Sequence, residues 1–369
     1  MASALDKLVD KLQQTYNNGV IMDFRRGGSI QDVERVPLES PKIESLFGIG
    51  GVPRGRIIEI YGTESGGKTS LCEYIAGQFQ KHDFEYTDEK GNIQTRKGVV
   101  IYIDAEHSIA PDYALVHGFD MLKCILVQPD SGEQACDIAL QMAESGQVDL
   151  IIIDSIASMT PQAEIDGDME QQAVGVQARM LSKFFRKAVS IFAKTKTTML
   201  CINQVRMNIG TYGNPETTPG GKALKFYSSV RVEMRRREYI TEKDETKGIV
   251  ISAKTVKNKT APPMVKQQLE MYFDRSFDAS AEWVDFAIEY QVIEQGGAGY
   301  FTLPNGERIR GKSNVVDFLT NPENSEMYDS IKKKTKERMY KKESDKPQVL
   351  SEDDPEEERE ILEEIGEDV

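Results

Sequence analysis

Four short, nearly unbroken apolar runs punctuate the chain: Arg56 to Tyr61, Gly98 to Ile103, Val148 to Ile153 and Thr198 to Ile202. Each is the length of a strand, and a run that is apolar at every position belongs to a strand buried on both faces. Between them lie segments with helical spacing, among them Ser70 to Gln80 and Arg179 to Lys196. Buried strands alternating with helices predict an α/β fold built on a mostly parallel sheet covered on both sides. Ligands of such sheets bind at the carboxyl ends of the strands. Three of the four runs end there in polar residues: Asp104-Ala105-Glu106-His107, Asp154-Ser155 and Asn203-Gln204.

Other stretches carry different patterns. Residues 3–16 space Leu5, Leu8, Val9 and Leu12 along one face, so they predict an amphipathic helix whose stripe needs a cover. Residues 17–35 are polar and contain glycine, reading as a loose connector that favours packing of this helix on a neighbouring subunit. Residues 81–98 are charged and predict a hairpin or excursion, and Pro161 to Gln172 cannot form a core element alone. Val205 to Gly221 has four glycines, two prolines and no period, which predicts a mobile loop. Ile249 to Val256 reads as a strand leading to Lys257-Asn258-Lys259, with both lysines on one face. Residues 270–328 suggest a smaller unit holding the only tryptophan, Trp283, read as core.

The fourth run, Arg56 to Tyr61, leads into Gly62-Thr63-Glu64-Ser65-Gly66-Gly67-Lys68-Thr69, followed by the helix opening at Ser70. Strand, glycine-rich turn and helix in this order form a phosphate-binding loop, whose amide N–H groups converge on a phosphate at the helix N-terminus. Lys68 is placed to neutralise β- and γ-phosphate oxygens of ATP, and the Thr69 hydroxyl to hold Mg²⁺. Asp154 is the expected Mg²⁺ carboxylate, direct or one step removed, and Glu106 the expected base orienting water at the γ-phosphate. His107 is left as structural, since the three histidines form no cluster.

Charge changes the picture at the C-terminus. The formal net charge is -14, but residues 351–369 hold eleven acids against one arginine and so supply ten of those charges. Just before them, Lys332 to Lys346 carries eight basic residues against three acidic ones. A basic segment followed by a disordered acidic tail suggests a tail that competes with nucleic acid for basic surface. Cys72, Cys124, Cys136 and Cys201 have no metal-ligand spacing and read as reduced core thiols of a cytoplasmic protein. No apolar stretch reaches the roughly eighteen residues that span a bilayer, so no membrane partner is expected.

Six stretches in order resemble the bacterial RecA recombinase family over about residues 4–330: the phosphate loop at 62–69, Ile103 to His107, Gln128 to Ala135, Thr160 to Gly167, Gly213 to Tyr227, and Val256 to Lys259. The resemblance implies a RecA-type P-loop ATPase core with an N-terminal helix and a small α/β C-terminal domain. Its division would be 1–35 for subunit packing, 36–269 for the ATPase and DNA-binding core, 270–330 for the small domain, and 331–369 for the basic segment and acidic tail. The implied activity is ATP-dependent assembly of a helical filament on single-stranded DNA, pairing with homologous duplex and strand exchange, in DNA repair and the DNA-damage (SOS) response.

The residue assignments follow the matching motifs. Glycines 62, 66 and 67 with Thr63, Glu64, Ser65, Lys68, Thr69 and Ser70 would hold ATP, with Tyr113 stacking on adenine. Gln204 would sense the γ-phosphate, and Lys257 and Lys259 would reach the ATP of the adjacent subunit. DNA-binding loops fall at 167–174 and 205–218, giving Val174, Gly175, Arg179, Arg186, Arg206, Met207, Asn208, Ile209, Gly220 and Gly221 as expected DNA contacts. Implied partners are the DNA strands, further copies of the chain, single-strand-binding protein, mediators and a LexA-like repressor. The chain departs from the family at Ala110, where an aspartate near adenine is usual, and at Asn208, a usual lysine. It also has a second DNA loop one residue shorter and a longer 81–98, fitting a divergent or virus-encoded member. Two alternatives stay open: a hexameric RecA-fold helicase motor, and a filament scaffold stimulating repressor self-cleavage.

Overall fold

The structure, a computed structural model, describes residues 4–16, 33–48, 50–87, 90–167, 175–207 and 216–344. Two compact units are distinguished, residues 1–34 and 35–369. The first contains helix α1, Ala4–Tyr16, as the leucine spacing predicts. The connector expected after it falls largely outside the described residues, as does the acidic tail.

The second unit is organised by a nine-stranded sheet. Its strands are β1 (Ile57–Gly62), β2 (Val100–Asp104), β3 (Cys124–Val127), β4 (Leu150–Asp154), β5 (Thr198–Gln204), β6 (Val230–Glu242), β7 (Glu245–Asn258), β8 (Lys266–Tyr272) and β9 (Ser276–Phe277). Their spatial order is β9-β8-β7-β6-β1-β5-β4-β2-β3. All pairings from β6 to β3 are parallel, whereas β6-β7, β7-β8 and β8-β9 are antiparallel. Strand alternation explains the unbroken apolar runs. Ile58, Ile60, Val100, Tyr102, Leu150, Ile152, Leu200 and Ile202 face one core. Their neighbours Ile57, Ile101, Ile103, Ile151, Ile153, Met199 and Cys201 face the other.

Helices cover both faces. Short α2 (Pro41–Phe47) and α3 (Lys68–Lys81) pack in the first core, through residues such as Ile43, Phe47, Leu71 and Phe79; α4 (Pro111–Val116) adds Ala114. Helices α5 (Gly132–Glu144) and α6 (Val176–Thr195) pack in the second core through Ala135, Ala139, Leu181, Phe185 and Phe192. The charged excursion is an antiparallel hairpin, Asp83–Thr87 with Ile93–Lys97. It is pinned at its base by Arg96, which bonds the buried Asp149 carboxylate that also accepts from Arg54 at 3.2 Å.

The smaller unit has its own core, around Val284, Ala287, Ile293, Phe301, Leu303, Val315, Leu319 and Ile331. It is built from α7 (Ala279–Glu289), a three-stranded sheet, α8 (Lys312–Thr320) and α9 (Ser325–Ser344). Two expected boundaries move. Residues 270–277 belong to the large sheet, because Leu269, Met271 and Phe277 fill the first core. The break expected after residue 330 falls inside α9, where Ile331 and Thr335 are buried while Lys333 and Lys334 are exposed. Trp283 is buried, its indole N–H donating to the Glu39 carbonyl at 2.8 Å. No helix among the described residues is long and apolar enough to cross a membrane.

Candidate functional site

The phosphate loop turns between β1 and α3, and its backbone leaves no room for side chains where it bends. A Cβ on Gly62 would stand 1.9 Å from the Met234 carbonyl oxygen. Gly67, at φ 77°, caps α3 in the left-handed region, and a Cβ there would meet Ile251 at 2.6 Å. Lys68 opens the helix. It is nearly buried, and its ammonium donates to the Thr63 carbonyl at 2.7 Å, folded back over the turn. Burial pushes its pKa down, opposed by the negative charges of Asp154, Glu106 and Glu64. A cation held in that balance is positioned for an anion.

The parallel register brings the expected acids to the same edge. Asp104 and Asp154 are direct partners at the ends of β2 and β4, and Gly62 is the partner of Gln204 at the end of β5. Asp154 is buried; its Oδ2 accepts from the Thr69 hydroxyl at 3.0 Å and from the Tyr102 hydroxyl at 2.7 Å. Burial raises its pKa, and these two hydrogen bonds oppose the rise. The side chains of Thr69 and Asp154 thus converge in an all-oxygen pair, the donor chemistry that suits Mg²⁺. Glu106 is exposed, yet its carboxylate is oriented: Oε1 accepts from Ser155 Oγ at 2.5 Å and from Ser158 Oγ at 3.3 Å. Asp104 is committed elsewhere, accepting from the Ser108 and Ile109 amides and from Gln128.

A polar cluster lies under the ends of β1, β5 and β6. Buried Glu59 accepts from Asn203 at 3.1 Å and from Arg231 at 2.5 Å, and Asn203 also donates to the Pro219 carbonyl at 3.2 Å. The residue before Gln204 therefore ties the strand end to the far end of the Val205–Gly221 segment. That segment is not wholly irregular: Arg206–Met207 pairs antiparallel with Glu216–Thr217. Its aperiodic sequence carries no signal for so short a ladder. Gly220 packs on α6, where an added Cβ would meet Leu181 at 2.6 Å, and Gly221 lies beside Ala178.

The basic positions Arg179, Lys183, Arg186 and Lys187 are exposed along α6, and Arg206 is exposed at the start of the ladder. Gly175 caps α6 at φ 74°. Val174, Asn208, Ile209 and the Met207 side chain lie outside the described residues. Tyr113 is partly exposed on α4. Lys257 and Lys259 are not brought to this phosphate loop. Lys257 pairs with Arg231, three residues before the Met234 partner of Gly62, and donates to the Lys225 and Phe226 carbonyls. Ser155, Ser158, Tyr102 and Gln177 carried no motif signal. Gln177 gathers the carbonyls of Ile156, Ala157 and Met159 beneath the start of α6. Only the hydroxyl interrupting an apolar strand at Tyr102 hinted at a buried partner.

The family model for the RecA N-terminal domain matches residues 3–278. The protein called Protein RecA of Thermus thermophilus is 41% identical over 339 residues, spanning 91% of this chain and 94% of its own length. Protein RecA of Thermus aquaticus is 40% identical across 92% of this chain and 95% of its own. That of Staphylococcus aureus is 38% identical across 91% and 92%.

Proposed function

The chain belongs to the RecA family, and from that premise and the phosphate-loop edge we infer that it is an ATP-dependent recombinase. It acts on single-stranded and duplex DNA as an assembly of its own copies, with strand exchange as the activity. The observation that carries the residue-level reading is the convergence of Lys68, Thr69, Asp154 and Glu106 at one edge of the sheet, each held by a named partner.

In this reading the loop from Gly62 to Gly67 wraps the phosphates with its amides, Lys68 neutralises them, and Ser70 follows at the start of the helix. Thr69 and Asp154 would hold Mg²⁺, which supplies charge neutralisation at the phosphates. Glu106, oriented by Ser155 and Ser158, accepts a proton from the attacking water. Gln204 responds to the γ-phosphate, a reading supported by its standing next to Gly62 in register. Asn203 gives that response a route to the second DNA loop through Pro219. Arg179, Arg186 and Arg206 supply backbone contacts that carry no sequence preference. Lys257 and Lys259 serve the nucleotide of a neighbouring copy, which makes hydrolysis a property of the assembly. Tyr113 stacks on the base. Residues 35–277 form the ATPase core and 278–344 the small domain. Single-strand-binding protein, mediators and a LexA-like repressor are its proposed further partners.

The reading is tested by strand exchange between a circular single strand and homologous linear duplex, with electron microscopy of the ATP-bound complex. Open helical filaments and joint molecules that require homology are expected. Closed rings that unwind duplex without homology would replace it with the helicase reading.

A further inference from the structure

Behind Tyr113 lies a buried polar pair that the phosphate chemistry does not use. Glu73 stands on α3 one turn beyond Thr69, and His117 ends α4; both are almost fully buried. Glu73 Oε2 and His117 Nε2 have no hydrogen-bond partner, yet they face each other across 3.8 Å. An unpaired polar atom in the interior is costly, and a pair of them this close is a hydrogen bond about 1 Å from closing. The other imidazole nitrogen is seated: Nδ1 lies 2.7 Å from the Ser276 hydroxyl, at the turn into β9. The ring is also a platform: Tyr113 packs on it edge to face, with centroids 4.9 Å apart at 84°.

We propose that Glu73 and His117 are a positioning pair for nucleotide binding: the Glu73 carboxyl O–H donates to His117 Nε2, seats the imidazole against Ser276, and so sets the pose of the Tyr113 ring. The inference rests on the reading of Tyr113 as the residue that stacks on the base. Burial, reinforced by the charge of Asp154, pushes Glu73 up to about 8, so that its carboxyl carries the needed proton at neutral pH. Burial pushes His117 down to about 4, leaving the imidazole neutral with one nitrogen free to accept. Nδ1–H then donates to Ser276 Oγ, and both ring nitrogens are matched. The chemistry is a carboxylic acid, an imidazole and a hydroxyl in line, closed at one end by the aromatic ring that meets the ligand.

The test uses the full chain on single-stranded DNA, reading KM and kcat for ATP and the equilibrium binding of Mg-ATP and of magnesium tripolyphosphate, which has no base. His117→Leu and Glu73→Leu are expected to raise the KM for ATP about three- to tenfold, the worth of one aromatic contact. Their kcat stays within about twofold, and tripolyphosphate binding does not change. Glu73→Gln, whose amide can still donate to Nε2, retains the affinity for ATP. Tyr113→Ala shows the same loss as His117→Leu, and the two together lose no more than either alone. Should the single variants fail to fold, Glu73→Leu/His117→Leu replaces both partners with apolar groups and carries the same expectation. If Tyr113→Ala weakens ATP binding and His117→Leu does not, the pairing is overturned while the stacking reading stands. Equal losses for ATP and tripolyphosphate overturn it as well. If Tyr113→Ala has no effect, the stacking reading falls and takes the proposal with it.

Discussion

The phosphate edge of the sheet and the basic face of α6 solve opposite problems with the same kinds of residue. At the edge, charged and polar groups are aimed, Lys68 and Asp154 from within the fold and Glu106 from its surface. Lys68 is folded onto the Thr63 carbonyl, Asp154 is held by two hydroxyls, and Glu106 is fixed by Ser155. On α6, Arg179, Lys183, Arg186 and Lys187 stand in solvent over a helix whose inner face is packed with Leu181, Phe184, Phe185 and Phe192. Bond-breaking needs angstrom placement in a dry setting, whereas grasping a polyanion of any sequence needs charge density and little else. The two regions should therefore fail differently when altered. Under the proposed roles, one lost contact at the edge should stop turnover, and one lost charge on the face should only loosen the grip.

The sharpest break is Glu106→Gln. Removing the proton acceptor while keeping the shape should lower DNA-stimulated ATP hydrolysis by about a hundredfold or more, while ATP-dependent DNA binding persists. Phosphate release and strand binding measured on one preparation check both halves; hydrolysis at the normal rate would take Glu106 out of the reaction. Ser155→Ala comes next. It leaves the carboxylate in place without its 2.5 Å donor, so kcat should fall about tenfold. Ser158, at 3.3 Å, should matter less, and equal losses from the two serines would contradict the geometry.

At the exposed arginines proposed to contact DNA a different signature is expected. Arg206→Ala should weaken strand binding a few-fold, alike for all sequences, and reduce the dependence of log affinity on log salt by about one. The turnover of enzyme already on DNA should not change. Affinity titrations at several salt concentrations decide it: an unchanged slope removes Arg206 from the contact set, and a loss of kcat would assign it to the edge instead.

The smallest effect concerns stability. Glu73 is raised from 4.5 to about 8, so the native fold holds a proton that the unfolded chain gives up. Its contribution is full below about pH 4.5 and is lost as pH rises through about 8. His117, lowered from 6.5 to about 4, contributes in the opposite sense, losing stability as pH falls from 6.5 to 4. Between pH 6.5 and 8 only the Glu73 slope of this pair operates. Across that window the melting temperature of the unaltered chain should fall by a few degrees relative to Glu73→Gln. Parallel melting curves would mean that Glu73 is already ionised at neutral pH.

Much of this was legible in the chain itself. Runs such as Leu150 to Ile153 specify strands because every residue is apolar, and one that alternates between two buried faces must be apolar throughout. The phosphate loop is equally local: glycines, lysine and threonine at fixed spacing dictate the turn they make. What sequence could not decide is whatever depends on residues far apart in the chain. Register alone makes Asp154 the neighbour of Asp104 and Gly62 the neighbour of Gln204. The hydroxyl of Tyr102, on β2, meets Asp154 on β4 only because the two strands are adjacent. Glu73, His117 and Ser276 look like three unrelated polar residues until α3, α4 and β9 are packed together. The same holds for the boundary of the small domain, since residues 270–277 are assigned to the sheet by edge pairing and not by composition. Local pattern encodes which element a segment forms and which face it buries; only packing selects the partner across the gap, because hydrogen bonds and desolvation act through space.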